Sequence, residues 1–166
     1  MYKIGDRIVY PMHGAGVIEA IEERDILGLV QKYYVLKIPV GDMKVMIPIS
    51  NMKNVGIRDV INSSIAEEVL LVFKEDVEEK KESNWNKRYR DNMDKLKTGD
   101  IFKVAEVVHT LMIRERDKGL STGEKKMLGN AKQILVSELV LARGVEEANI
   151  ENIMNEYIYN NKAKAQ

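Results

Sequence analysis

The chain has 166 residues, with 26 basic and 26 acidic side chains, so its formal charge is zero and it carries no global cationic coat for nucleic acid. At 45% hydrophobic and 31% charged residues it has the make-up of a globular protein, and at this length roughly two thirds of the unfolded surface can be buried. No apolar run approaches the ~18 residues of a membrane span, the start MYKIGDRIVY offers no apolar secretion signal, and cysteine is absent, so a cytoplasmic chain without disulfides or a membrane partner is expected.

Up to about residue 60, short β-rich runs alternate with turn residues. DRIVY (6–10) is followed by PMHGAG, VIEAIEER (17–24), QKYYVLKIP (31–39) and MKVMIPI (43–49). Gly14-Ala15-Gly16 reads as a tight turn. It precedes a strand and lacks a Lys-Ser/Thr pair, whereas phosphate loops open a helix. A Gly41-Asp42 turn before the alternating Met43, Val45 and Ile47 is a hairpin signal. Four or five such strands predict a small SH3- or Tudor-like β barrel over residues 1–61. Pro39 and Pro48 then fall at strand ends or an edge.

After residue 60 the period becomes helical, so the fold class is α+β, with a C-terminal all-helical domain over 62–166. Ser64-Ile65-Ala66-Glu67 matches a capping box. Asn84 is placed to cap a helix from Trp85 to Lys97, stopped by Thr98-Gly99. Asp100 caps the next, in which Ile101, Val104, Ala105, Val108, Leu111 and Met112 keep helical spacing. Ser121-Thr122-Gly123-Glu124 is a second capping box, opening a long helix that Gly144 closes. A last helix carries Ile150, Ile153, Met154, Tyr157 and Ile158, giving about five helices.

Chemistry leaves few traces. His13 and His109 are the only histidines, expected on an exposed loop and a helix surface, and without cysteine they make no zinc site. No catalytic or cofactor motif appears, so neither an enzyme nor a cofactor is expected.

The charges, although balanced, are unevenly placed. Residues 80–97 hold seven basic against three acidic side chains, a net of +4, directly after an acidic stretch over 67–79. Within the basic segment lies the only tryptophan. At ~100° per residue Trp85, Tyr89, Met93 and Leu96 form one helical stripe flanked by Arg88 and Arg90, while Lys87 points away. Trp85 either extends that stripe into the core or stands out as an aromatic wedge. Apolar wedges unstack base steps in the minor groove while lysine and arginine hold the phosphates.

The stretches YKIGDRIVYPMHGAGVIEAIE, NWNKRYRDNMDKLKTGDIFKVAEVV and LSTGEKKMLGNAKQILVSELVLA resemble the CarD/CdnL family of bacterial transcription regulators, over roughly residues 1–160. The resemblance implies an N-terminal Tudor-like domain that binds the RNA polymerase β subunit on its protrusion, or β1 lobe. It implies a helical domain on promoter DNA near the −10 element, with a tryptophan wedge that stabilises the open complex. By position the wedge is Trp85, with Lys87, Arg88 and Arg90 as backbone contacts, and the polymerase-facing arginine is Arg24. Met46 stands where some members have a second such arginine, leaving Lys44 and apolar packing on that edge. One copy of the chain would act per polymerase.

The same family assignment accounts for the modest patch. Four phosphate contacts give a salt slope of only about −0.9 × 4, so tethering through the barrel must raise the local DNA concentration. Two alternatives stay open. A protein–protein adaptor would use Trp85 as an interface anchor without touching DNA. An RNA-binding module is disfavoured because residues 1–61 hold eight basic against seven acidic side chains, a net of +1.

Overall fold

The structure, a computed structural model, describes residues 1–76 and 84–164, and side chains as far as residue 160. The charged linker read from the sequence, with Lys80 and Lys81, lies mostly outside the described residues. The chain is α+β. Five antiparallel strands, β1 (Arg7–Tyr10), β2 (Gly14–Ile26), β3 (Leu29–Ile38), β4 (Met43–Pro48) and β5 (Arg58–Asp59), form one Tudor-like sheet in the order β4-β3-β2-β1-β5. Helices α1 (Ser63–Leu71), α2 (Trp85–Lys97), α3 (Ile101–Asp117), α4 (Thr122–Arg143) and α5 (Glu147–Lys164) follow. None of the helices in the described residues is long and apolar enough to cross a membrane.

The strands follow the period-2 pattern. Ile18, Leu36 and Val45 lie opposite one another across β2, β3 and β4, as do Tyr34 and Ile47. With Ile8 and Ile38 they form the sheet's own apolar core, and Tyr34, despite its hydroxyl, is fully buried because that group donates to the Tyr2 carbonyl at 2.9 Å.

Three local expectations are corrected. Gly14-Ala15-Gly16 is not the turn but the start of β2, paired with β1 from Tyr10 to Ile8. The turn sits at Pro11–His13, with Met12 left-handed at φ 73°. The glycines serve close approach instead: a Cβ at Gly16 would meet the Lys37 carbonyl at 2.5 Å, and one at Gly14 the Ser137 hydroxyl at 2.9 Å. The β3–β4 connection spans four residues, because Ile38 pairs with Met43, and it inserts Val40 into the core of the helices. Helix α1 begins earlier than the Ser64 capping box implied. Asn62 is the cap, its Oδ1 accepting the Ile65 N–H at 2.8 Å. The other caps fall as read: Asn84, Asp100 and Ser121 accept first-turn N–H groups, and Gly144 ends α4 at φ 65°.

His109 is a further correction. It is buried, not on a surface, and its ring meets Phe73 edge-on with centroids 5.7 Å apart. Helix α3 buries a wide face, with Val107 and Ile113 as well as the expected stripe, and His109 falls within that face, while Lys103, Glu106 and Thr110 keep the exposed side. Burial lowers the His109 pKa below its ordinary value, against smaller opposing effects of Glu75 and Asp76.

Sheet and helices meet along α4. Arg58 in β5 pairs bidentately with the buried Glu138 of α4, at 2.7 and 2.8 Å, and also donates to the Gly99 carbonyl. The Ile61 N–H donates to the same carboxylate at 3.0 Å. Ser137 Oγ accepts the Ala15 N–H at 2.9 Å, and Arg7 donates to the Leu141 carbonyl at 2.7 Å. These contacts place β5 and the β1–β2 hairpin against α4 and bring Met12 beside α2.

Candidate functional site

Helix α2 is strongly polar and owes its position to four residues. Tyr89, Met93 and Leu96 pack against the core of the helices, and Asn84 Oδ1 accepts the Lys87 N–H at 2.8 Å. Trp85 opens the first turn on the same stripe but is not core: 41% of it is exposed. Its ring stacks on Tyr89, with centroids 5.1 Å apart and planes 21° from parallel. Its indole N–H donates to Ser121 Oγ at 2.9 Å. Its Cζ2 edge lies where a Cβ on Gly123 would come to 3.3 Å. The first turn of α4 therefore supports a ring whose other side meets solvent.

The three expected cations separate. Lys87 and Arg90 are exposed. Arg88 turns inward, its side chain only 18% exposed, and pairs at 3.7 Å with Glu124, which is itself buried. Arg114 of α3 approaches the same carboxylate at 3.8 Å. Arg88 thus sits behind the tryptophan rather than in front of it. No acidic residue lies in the first turn of α2, so the partial positive charge of its N-terminus adds to that of Lys87 and Arg90.

Sequence reasoning missed part of this corner. A groove of about 170 Å³ runs between α2 and α4, lined by Tyr89, Met93, Gly123 and Lys126 among others, with Met12 reaching it from the sheet. Lys125 and Lys126 are exposed just beyond the α4 cap. The two lysines were visible after the Ser121 box, but nothing local says that this box adjoins Trp85.

The second candidate surface is the outer face of the sheet. Ala20, Val35 and Met46 lie directly opposite one another on three strands and so share one side. Arg24, four residues beyond Ala20 on β2, points to that side, as does Lys44, two residues from Met46. The structure therefore brings Arg24, Lys44 and Met46 onto one face. Arg24 is exposed and has a loose contact with Glu22 at 3.4 Å. Lys44 pairs with Glu19 at 2.7 Å, and this hydrogen bond raises its pKa above the ordinary lysine value. Met46 is half-buried. Strand β4 is a sheet edge, its outer backbone groups unpaired within the sheet. Among the described residues no group of His, Asp or Glu side chains could hold a metal ion.

Comparison with known proteins gives matches to two family models and to a curated relative. Residues 2–61 match the family model described as the CarD-like/TRCF RID domain. Residues 68–155 match that described as the CarD C-terminal domain. Over 152 residues, 92% of this chain and 99% of the relative, the chain is 44% identical to the Bacillus subtilis (strain 168) protein named "Putative transcription factor YdeB".

Proposed function

The chain belongs to the CarD family of transcription factors, and on that premise we propose that it binds the RNA polymerase β subunit and stabilises promoter open complexes. Residues 1–61 act as the polymerase module, through the outer sheet face bearing Arg24, Lys44 and Met46. Residues 62–166 act as the DNA module, near the −10 element. There Trp85 is the wedge, and Lys87 and Arg90 contact phosphates, joined by Lys125 and Lys126. Arg88 has a supporting role through Glu124.

The observation that carries this reading is the setting of Trp85, a large aromatic ring held in place yet 41% exposed beside two outward cations. A ring of that kind has apolar area left to place between bases. It favours the melted state because it binds that state better than the closed duplex.

Two variants of the full chain test the division of labour. Trp85→Ala should leave polymerase affinity intact and shorten open-complex lifetime about tenfold, equivalent to ~1.4 kcal/mol. Arg24→Glu should weaken polymerase binding, with the helical half still folded. If Trp85→Ala leaves lifetime unchanged and binding proves insensitive to salt, the protein acts as an adaptor without DNA contact.

A further inference from the structure

The side chain of Ser121 has more partners than a helix cap requires. A serine hydroxyl offers one donor and two acceptor sites. Here one acceptor site takes the Glu124 N–H at 3.2 Å, as capping α4 demands. The other takes the Trp85 indole N–H at 2.9 Å. The hydroxyl proton goes to Glu124 Oε1 at 3.2 Å. All three sites are filled. Glu124 is in turn fixed by burial between Arg88 and Arg114. A chain of contacts therefore runs from buried charge to exposed ring, across residues far apart in sequence.

The indole has a single polar group, a donor. With that donor engaged by Ser121, one face on Tyr89 and an edge at Gly123, the ring keeps only apolar surface for a ligand.

We infer that Ser121 is a positioning residue for the wedge: it fixes the orientation of the Trp85 ring before DNA arrives. The ring then acts on a base step by stacking and insertion alone, with no indole hydrogen bond to a base edge. This rests on the wedge reading for its DNA consequence, but not for the positioning itself. A pre-ordered side chain avoids an ordering cost on binding, and losing that order should weaken the contact roughly three- to tenfold.

The test uses the full chain, and Trp85 fluorescence reports the ring directly because no other tryptophan is present. Ser121→Gly removes the acceptor while leaving a residue tolerated as a helix cap. Ser121→Thr restores the oxygen. In the free protein, Ser121→Gly should lower the fluorescence anisotropy of Trp85, and Ser121→Thr should return it towards the parent. With polymerase and promoter, Ser121→Gly should shorten open-complex lifetime about three- to tenfold, with rescue by threonine. Phenylalanine has no N–H, so Ser121→Gly should cause no further loss on a Trp85→Phe background.

Unchanged anisotropy in Ser121→Gly would overturn the positioning role. So would an equal loss of lifetime on the Trp85→Phe background, which would assign Ser121 to DNA contact or to α4 itself. If Trp85→Ala has no effect on lifetime the wedge reading fails, and anisotropy still decides what Ser121 does.

Discussion

Helix α4 carries two buried glutamates that have opposite surroundings. Glu138 lies at the seam with the sheet, where Arg58 grips it at 2.7 and 2.8 Å and the Ile61 N–H adds a third bond. Glu124 lies behind Trp85, where two arginines stand off at 3.7 and 3.8 Å and Oε2 accepts no hydrogen bond among the described residues. A buried carboxylate is costly unless it is paired and hydrogen-bonded. The seam meets that demand fully and the corner only partly. Fully satisfied buried polar networks rigidify a structure, whereas partly satisfied ones leave part of the desolvation cost uncompensated. The contrast marks the seam as the more tightly held of the two sites.

Single arginine deletions break the contrast most sharply. Among the described residues Arg58 is the only cation paired with Glu138, so Arg58→Ala leaves a buried charge alone and should cost about 3–5 kcal/mol. Arg88→Ala leaves Arg114 beside Glu124 and should cost about 1–2 kcal/mol, within the ordinary range for one substitution. Denaturant melts of the two variants check the order. Equal losses would mean that the seam is no tighter than the corner.

His109 adds a comparison by pH within the helical half. Its pKa is lowered in the folded state by burial, the largest effect, so the folded chain disfavours the charged form. Below about pH 6.5, the ordinary histidine value, the unfolded chain takes up the proton first. Stability should therefore fall as pH drops beneath that value, and level off once the folded-state pKa is passed. Melting temperatures between pH 7.5 and 5.5 should decline less in His109→Leu than in the parent. The same decline in both would assign the pH dependence to other groups.

The caps at Asn84, Asp100 and Ser121 were legible because capping is local, a side chain reaching two or three residues along its own chain. The stripe of Trp85, Tyr89, Met93 and Leu96 was legible for the same reason. What stayed hidden depends on distant partners. Gly16 needs its lack of side chain because of Lys37 on the next strand. Val40 fills the core of helices that begin more than twenty residues later. His109 stands four residues after Ala105, on the apolar stripe itself, and that spacing was a usable sign of burial. The inward turn of Arg88 depends on Glu124, and the bond from Trp85 to Ser121 on the meeting of two helix starts. Neither spacing nor composition encodes those meetings.

The smallest effect on stability separates the cations of the corner from one another. Lys87 and Arg90 are exposed, and their hydrogen-bonding heads are not part of the Glu124 network. Replacing both by glutamine should change stability by less than about 0.5 kcal/mol, as surface substitutions do. Binding should respond differently. Each phosphate contact releases condensed counterion and contributes about −0.9 to the slope of log affinity against log salt on duplex DNA. The double variant should therefore flatten that slope by ~1.8 if both side chains touch phosphate. Open complexes formed across a salt series supply the measurement, since on the proposed function tethering to polymerase would make a contact of this strength count. Arg88→Gln should do the reverse, lowering stability and leaving the slope nearly unchanged, because its guanidinium faces a carboxylate inside the protein. A steeper loss of slope from Arg88→Gln than from the outward pair would reverse their roles.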